Sequence, residues 1–72
     1  MSIKIVRKVV EKVAYKSTTV NGHVVWRVTF ADGSTACTKP NSSFGMTLTG
    51  SETGEYEVEL DEKGRIVGWE KA

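Results

Sequence analysis

Three features of the chain predict an all-β fold, a small five-stranded antiparallel barrel. Two stretches, HVVWRVTFA (23–31) and EYEVEL (55–60), alternate apolar and polar residues with period two, the mark of half-buried strands. Turn signals recur beside them at Asn21-Gly22, Asp32-Gly33 and Asp61-Glu62-Lys63-Gly64. Between the third and fourth strands lies KPNSSFGMTLTGSETG (39–54), which has no such alternation. A connection this long inside a compact domain usually has a use.

The amino-terminal run IKIVRKVVEKVAYK spaces Val6, Val9, Val10 and Val13 as a helix would. It is nevertheless rich in β-branched residues, which are weak helix formers, and its second half is needed for the Asn21-Gly22 hairpin. It therefore reads as one long, bent strand. A bulge near residues 6–10 would switch the inward phase from Val6 and Val10 to Val13 and Tyr15.

A two-residue type I′ loop at Asn21-Gly22 sets the register of the first hairpin. Lys16 then faces Arg27, and Ala14 faces Thr29, on the outer side. Ser17/Trp26, Tyr15/Val28 and Val13/Phe30 face the core. Around Asp32-Gly33, Thr35 meets Phe30 and Cys37 meets Val28, so that Cys37 points inward as a small apolar filler. In the last hairpin Tyr56, Val58 and Leu60 point inward and Glu55, Glu57 and Glu59 outward. Val67 and Trp69 return opposite Val58 and Tyr56, and Gly68 marks a bulge or a close backbone approach.

Pro40 ends the third strand because it has no N–H to donate. Asn41, Ser42 or Ser43 then caps a single helical turn that carries Phe44 and Met46 inward, with Leu48 completing a plug. Thr47 to Gly54 reads as a tether. This order matches an OB-like barrel, in which a helix or loop joins strands three and four. An SH3-like barrel, also a small closed five-stranded fold, is the alternative.

Seventy-two residues make one domain, 1–72. A chain of this size buries only about 60% of its unfolded surface, which leaves no room for a walled active site beside the core. The lone cysteine, Cys37, rules out an internal disulfide and a cysteine-based metal cluster. MSIKIVRKVV lacks the apolar core and cleavage site of a signal peptide, and no later segment would span a membrane. The expectation is a soluble, cytoplasmic protein.

Catalytic constellations are not found in the sequence. His23, the one histidine, flanks a turn and is expected to be exposed, and Cys37 has no histidine near it. Glu55, Glu57 and Glu59 share a face but have no His or Asn beside them to complete a metal site. GSETG lacks the lysine and spacing of a phosphate-binding loop. No enzyme activity, cofactor or metal is expected.

The net charge of +1 conceals a division. Residues 1–40 hold seven Lys and Arg against Glu11 and Asp32, a net +5; residues 41–72 hold three against seven acids, a net −4. The predicted register collects Lys12, Lys16, Arg27 and Thr29 on one outer face, with Lys39 nearby. Like charges held directly opposite one another are mildly destabilising, and a phosphate between them would relieve this. Against that stands internal salt bridging. If the first strand also pairs with the fourth, Lys12 and Lys16 fall near Glu55, Glu57 and Glu59, and only Arg27 stays unpaired. Outward aromatics are also scarce, because Tyr15, Trp26, Phe30, Tyr56 and Trp69 all read as core.

These features point to a non-catalytic binding module for nucleic acid, weak and salt-sensitive, through Lys12, Lys16, Arg27, Thr29 and Lys39. The alternative is a protein-interaction or inhibitor module of the kind a virus or mobile element encodes. It would use a sheet edge or the 41–54 loop with Asn41, Ser42, Ser43 and Phe44. A third class is a small-molecule or nucleotide binder at the barrel mouth. An open sheet edge would also invite pairing with a second copy.

Overall fold

The computed structural model describes residues 2–40 and 43–72. Five strands and one helical turn follow in order: β1 (Lys4–Thr18), β2 (Val24–Phe30), β3 (Thr35–Cys37), α1 (Phe44–Thr47), β4 (Gly54–Leu60) and β5 (Ile66–Lys71). They form one antiparallel sheet in the order β3-β2-β1-β4-β5. The all-β, five-stranded antiparallel prediction is met. The sheet is not closed into a barrel. Its outer strands meet at a single parallel bridge, Thr38–Ile66, and at the hydrogen bond from the Lys39 amide to the Ile66 carbonyl (2.8 Å).

β1 is the long bent strand that the sequence predicts, fifteen residues with no helix. Its first half, Lys4–Val10, pairs with β4, and its second half, from Val10, pairs with β2. Glu11 is the extra residue where the β2 register jumps. One residue past the expected stretch, this bulge still makes the expected change of phase, with Val10 and Val13 both buried. Val28, Phe30, Leu48, Val58 and Ile66 complete the core, and Val6, Trp26, Ala36, Phe44, Tyr56, Leu60 and Trp69 pack against it.

All three hairpins close with three-residue loops, where the sequence predicts two-residue loops at Asn21-Gly22 and Asp32-Gly33 and a four-residue turn over 61–64. Thr19 bonds His23, Phe30 bonds Ser34 and Asp61 bonds Arg65, each across a loop of three residues. The last residue of each loop is a glycine at φ near +80 to +90°: Gly22 (84°), Gly33 (90°) and Gly64 (78°). These are turns followed by a left-handed glycine, neither the two-residue loops expected of the first two hairpins nor the four-residue turn expected of the last. Each slips the register by one residue, which exchanges the faces of a strand.

In two of the hairpins a bulge slips it once more and restores them. The bulged residues are Lys16, between Tyr15↔Trp26 and Ser17↔Val25, and Val67, between Leu60↔Ile66 and Glu59↔Gly68. Ala14 therefore lies opposite Arg27, Tyr15 opposite Trp26, Val13 opposite Val28 and Trp69 opposite Val58. Gly68 does stand beside a bulge, as predicted, while fully buried Ile66 takes the inward place assigned to Val67. The β2–β3 hairpin has no such bulge. There Ala36 faces Val28, and Cys37 lies opposite Arg27 instead of inward.

The stretch after β3 is mostly architecture. Phe44 is half-buried, edge-on to Trp69 (5.2 Å, 83°), which in turn stacks on Tyr56 (4.4 Å, 26°). Met46 was expected inside but is 67% exposed. At 3.6 residues per turn, two positions on from Phe44 is the opposite side of a helix. Leu48, beyond the turn, is buried as predicted. Ser43 stands at the N-cap without a side-chain cap bond; Asn41 and Ser42 lie outside the described residues. The carbonyl of Gly45 accepts from Trp26 Nε1 (2.7 Å), which locks α1 onto β2.

Candidate nucleic-acid interface

Charge pairing in the sheet follows from where β4 ends. Its ladder with β1 runs from Lys4↔Leu60 to Val10↔Gly54, so Arg7 lies opposite Glu57. Arg7 reaches Glu57 at 3.2 Å and Glu55 at 4.0 Å. Lys8 is occupied by Asp32 (2.6 Å). That bond, with the hydroxyl and amide of Ser34, holds the Asp32 carboxyl far below its usual range. The internal salt bridges expected of Lys12 and Lys16 are thus made by Arg7 instead. Lys16 lies roughly 20 Å further along β1 than the row of Glu55, at about 3.3 Å per residue, well beyond a screening length of about 8 Å.

Lys12, Lys16 and Arg27 make no ion pair among the described residues. The register builds rows on their face of the sheet: Lys12 opposite Thr29 opposite Thr35, and Ala14 opposite Arg27 opposite Cys37. Lys16, as the bulged residue, is not directly opposite Arg27. The two cations still share a cleft of about 250 Å³ lined by Ala14, Tyr15, Lys16 and Arg27. Glu11, exposed in the other bulge, is next to Lys12 in the chain. Lys39 stands apart, two residues beyond Cys37, where the edges of the sheet meet.

Tyr15 is also placed otherwise than the sequence predicts. It is 60% exposed rather than core, edge-on to Trp26 (6.2 Å, 88°), with its hydroxyl 2.6 Å from Thr18 Oγ1. Its alternation with Val13 suggested burial, but the ladder of β1 with β4 stops at Val10, and no strand covers this part of β1 on that side.

The other predicted site residues lie elsewhere. Ser43 is exposed and Phe44 half-buried against Trp69, so the loop does not present Phe44 as a free anchor. Glu52 folds the tether by accepting from the amides of Thr49 (2.8 Å) and Gly50 (3.0 Å) and from the Thr49 hydroxyl. Partial burial works against its charge, yet these donors outweigh it and lower the pKa from 4.5. His23, expected to be exposed, is half-buried, with Nδ1 enclosed and unbonded among the described residues. A second cleft, about 140 Å³ and lined by Ile5, Glu57, Glu59 and Glu70, opens on the acidic outer face.

Among the described residues no group of three or more His, Cys, Asp or Glu is placed to hold a metal ion. No helix among them is long and apolar enough to cross a membrane. Comparison with protein-family models, with curated proteins and with solved structures finds no match for this chain.

Proposed function

We propose that the chain is a non-catalytic binding module that holds phosphate groups of nucleic acid on the outer face of β1 and β2. Lys12, Lys16 and Arg27 supply the charge, Thr29 a hydroxyl donor, and Lys39 is the outlying member. The observation behind this reading is that Lys16 and Arg27, which make no ion pair among the described residues, line one cleft while Arg7 answers the glutamates of β4. An OB-like path supports it further. After β3 the chain leaves the meander to run beside β1, and Thr38, just past β3, bridges Ile66 of β5 in parallel; OB-type folds bind oligonucleotides on the face of their second and third strands. With three cations the binding is weak.

The test is fluorescence anisotropy with a labelled oligonucleotide at low salt, comparing the parent chain with Lys16→Glu/Arg27→Glu. Both side chains are outside the core, so the double variant stays folded by circular dichroism and loses binding at least tenfold. Unchanged binding by the folded double variant would remove this face as the site.

A second reading, a protein-interaction module, has its own support. Ile3, Ile5 and Val9 are exposed, and Ile5 sits in the acidic cleft with Glu57, Glu59 and Glu70. An apolar side chain ringed by glutamates suits a protein surface with an apolar centre and a basic rim. On this reading the surface is the outer face of β1 and β4, not the 41–54 loop.

A further inference from the structure

Phosphate contacts position a nucleic acid but do not distinguish its forms, so the remaining wall of the cleft decides which form fits. That wall is Tyr15. A tyrosine on a strand is common and its exposure alone means little. Three observations set this one apart. The residue lines the same cleft as Lys16 and Arg27, with its ring on the Trp26 side of β1. It is held by Trp26 at one side and by its hydroxyl's bond to Thr18 at the tip, so its orientation is fixed before a ligand arrives. It also stands on the stretch of β1 past Val10 that no other strand flanks on the β4 side; the tether passes there at Gly50, beside Trp26 and the Val13 carbonyl, and still leaves Tyr15 60% exposed.

We propose that Tyr15 is a base-stacking platform and that the ligand is single-stranded nucleic acid, with phosphates on Lys16 and Arg27 and an unpaired base against the Tyr15 ring. The inference rests on the phosphate-binding reading above. The chemistry selects single strands because a duplex keeps its base faces inside the stack, whereas every unpaired base offers one. Stacking on a ring is tolerant of sequence, so a single platform gives a preference for strandedness and little preference among bases. Lys12 lies one row along from Arg27, which continues the backbone track away from the platform.

The experiment titrates the full chain, Tyr15→Phe and Tyr15→Ile against three probes at one low salt concentration: labelled oligothymidylate, a duplex of equal length, and inorganic polyphosphate, which has charge and no bases. The expected result is tightest binding to oligothymidylate. Tyr15→Ile, still β-forming, weakens that binding roughly 5- to 150-fold, the range for one stacked base, and leaves polyphosphate unchanged. Tyr15→Phe keeps most of the single-strand affinity.

In the unmodified protein the Tyr15 ring protons move upfield with oligothymidylate and stay in place with polyphosphate. This second readout holds whether or not Tyr15→Ile folds. Equal binding of all three probes with static Tyr15 resonances overturns the stacking platform and leaves the phosphate site standing. Failure of every probe to bind overturns both.

Discussion

At the scale of single residues, two positions show how closely the chain is fitted. Gly45 lies under α1, where a Cβ would come within 2.5 Å of the Val24 carbonyl oxygen. Alanine normally favours a helix over glycine by about 1 kcal/mol, but here the clash is with backbone and has no side chain to give way. Gly45→Ala is therefore expected to destabilise the fold by about 1–3 kcal/mol, read as a lower urea midpoint. A variant as stable as the parent would contradict the seating of α1 on β2.

Glu52 acts through its charge. Its folded-state pKa is lowered, so its stabilising effect is complete above about pH 4.5 and is lost as pH falls through the folded value. The thermal midpoint of Glu52→Gln should lie below that of the parent at neutral pH. The gap should narrow as the pH drops towards about 3. Asp32 and Asp61, also lowered by their hydrogen bonds to Lys8 and Ser34 and to Arg65, move the parent's own midpoint down in the same range.

At the scale of elements, strand identity was legible and strand register was not. Alternation in HVVWRVTFA and EYEVEL depends only on which face is apolar, and both segments form strands. Register depends on whether an X-Gly pair closes a loop of two residues or ends a loop of three, and the dipeptide alone does not tell. The side chains around the turns favour the wider loop: Asp61 accepts from the amides of Lys63 and Arg65 and from Arg65 Nε, and Thr19 Oγ1 accepts from the His23 amide. Bulges at Lys16 and Val67 then returned Val13, Val28 and Trp69 to the inner face, which is why the predicted core was largely right although its pairs were wrong. Cys37 had no bulge to correct it.

The sequence also gave no sign of Thr38. It is fully buried, exchanges backbone and hydroxyl bonds with Trp26, and bridges to Ile66. Thr38→Val keeps its shape but orphans the Trp26 amide, a cost of about 1–3 kcal/mol. Faster amide exchange at Trp26 and Lys39 would show that the sheet edges have parted there, whereas parent-like exchange would contradict this role.

At the scale of the whole molecule, the division of charge seen in the sequence becomes two regions on the outer side of one sheet, and the pairing of β1 decides what each is worth. Arg7 answers the glutamates of β4, and the second half of β1 runs on past their ladder, its Lys12 and Lys16 making no ion pair among the described residues. Half of the candidate site was readable, because residue type and outward phase select Lys12, Lys16 and Arg27. Tyr15 was hidden, since its exposure depends on where the ladder with β4 stops. The measurement that tests the central claim most directly is the salt dependence of single-strand oligonucleotide binding. Three phosphates neutralised by Lys12, Lys16 and Arg27 predict a slope of log K against log salt of about −2, falling to roughly −0.7 in Lys16→Glu/Arg27→Glu, should residual binding be measurable. A slope near zero in the parent, or one that the double substitution leaves unchanged, would contradict the account.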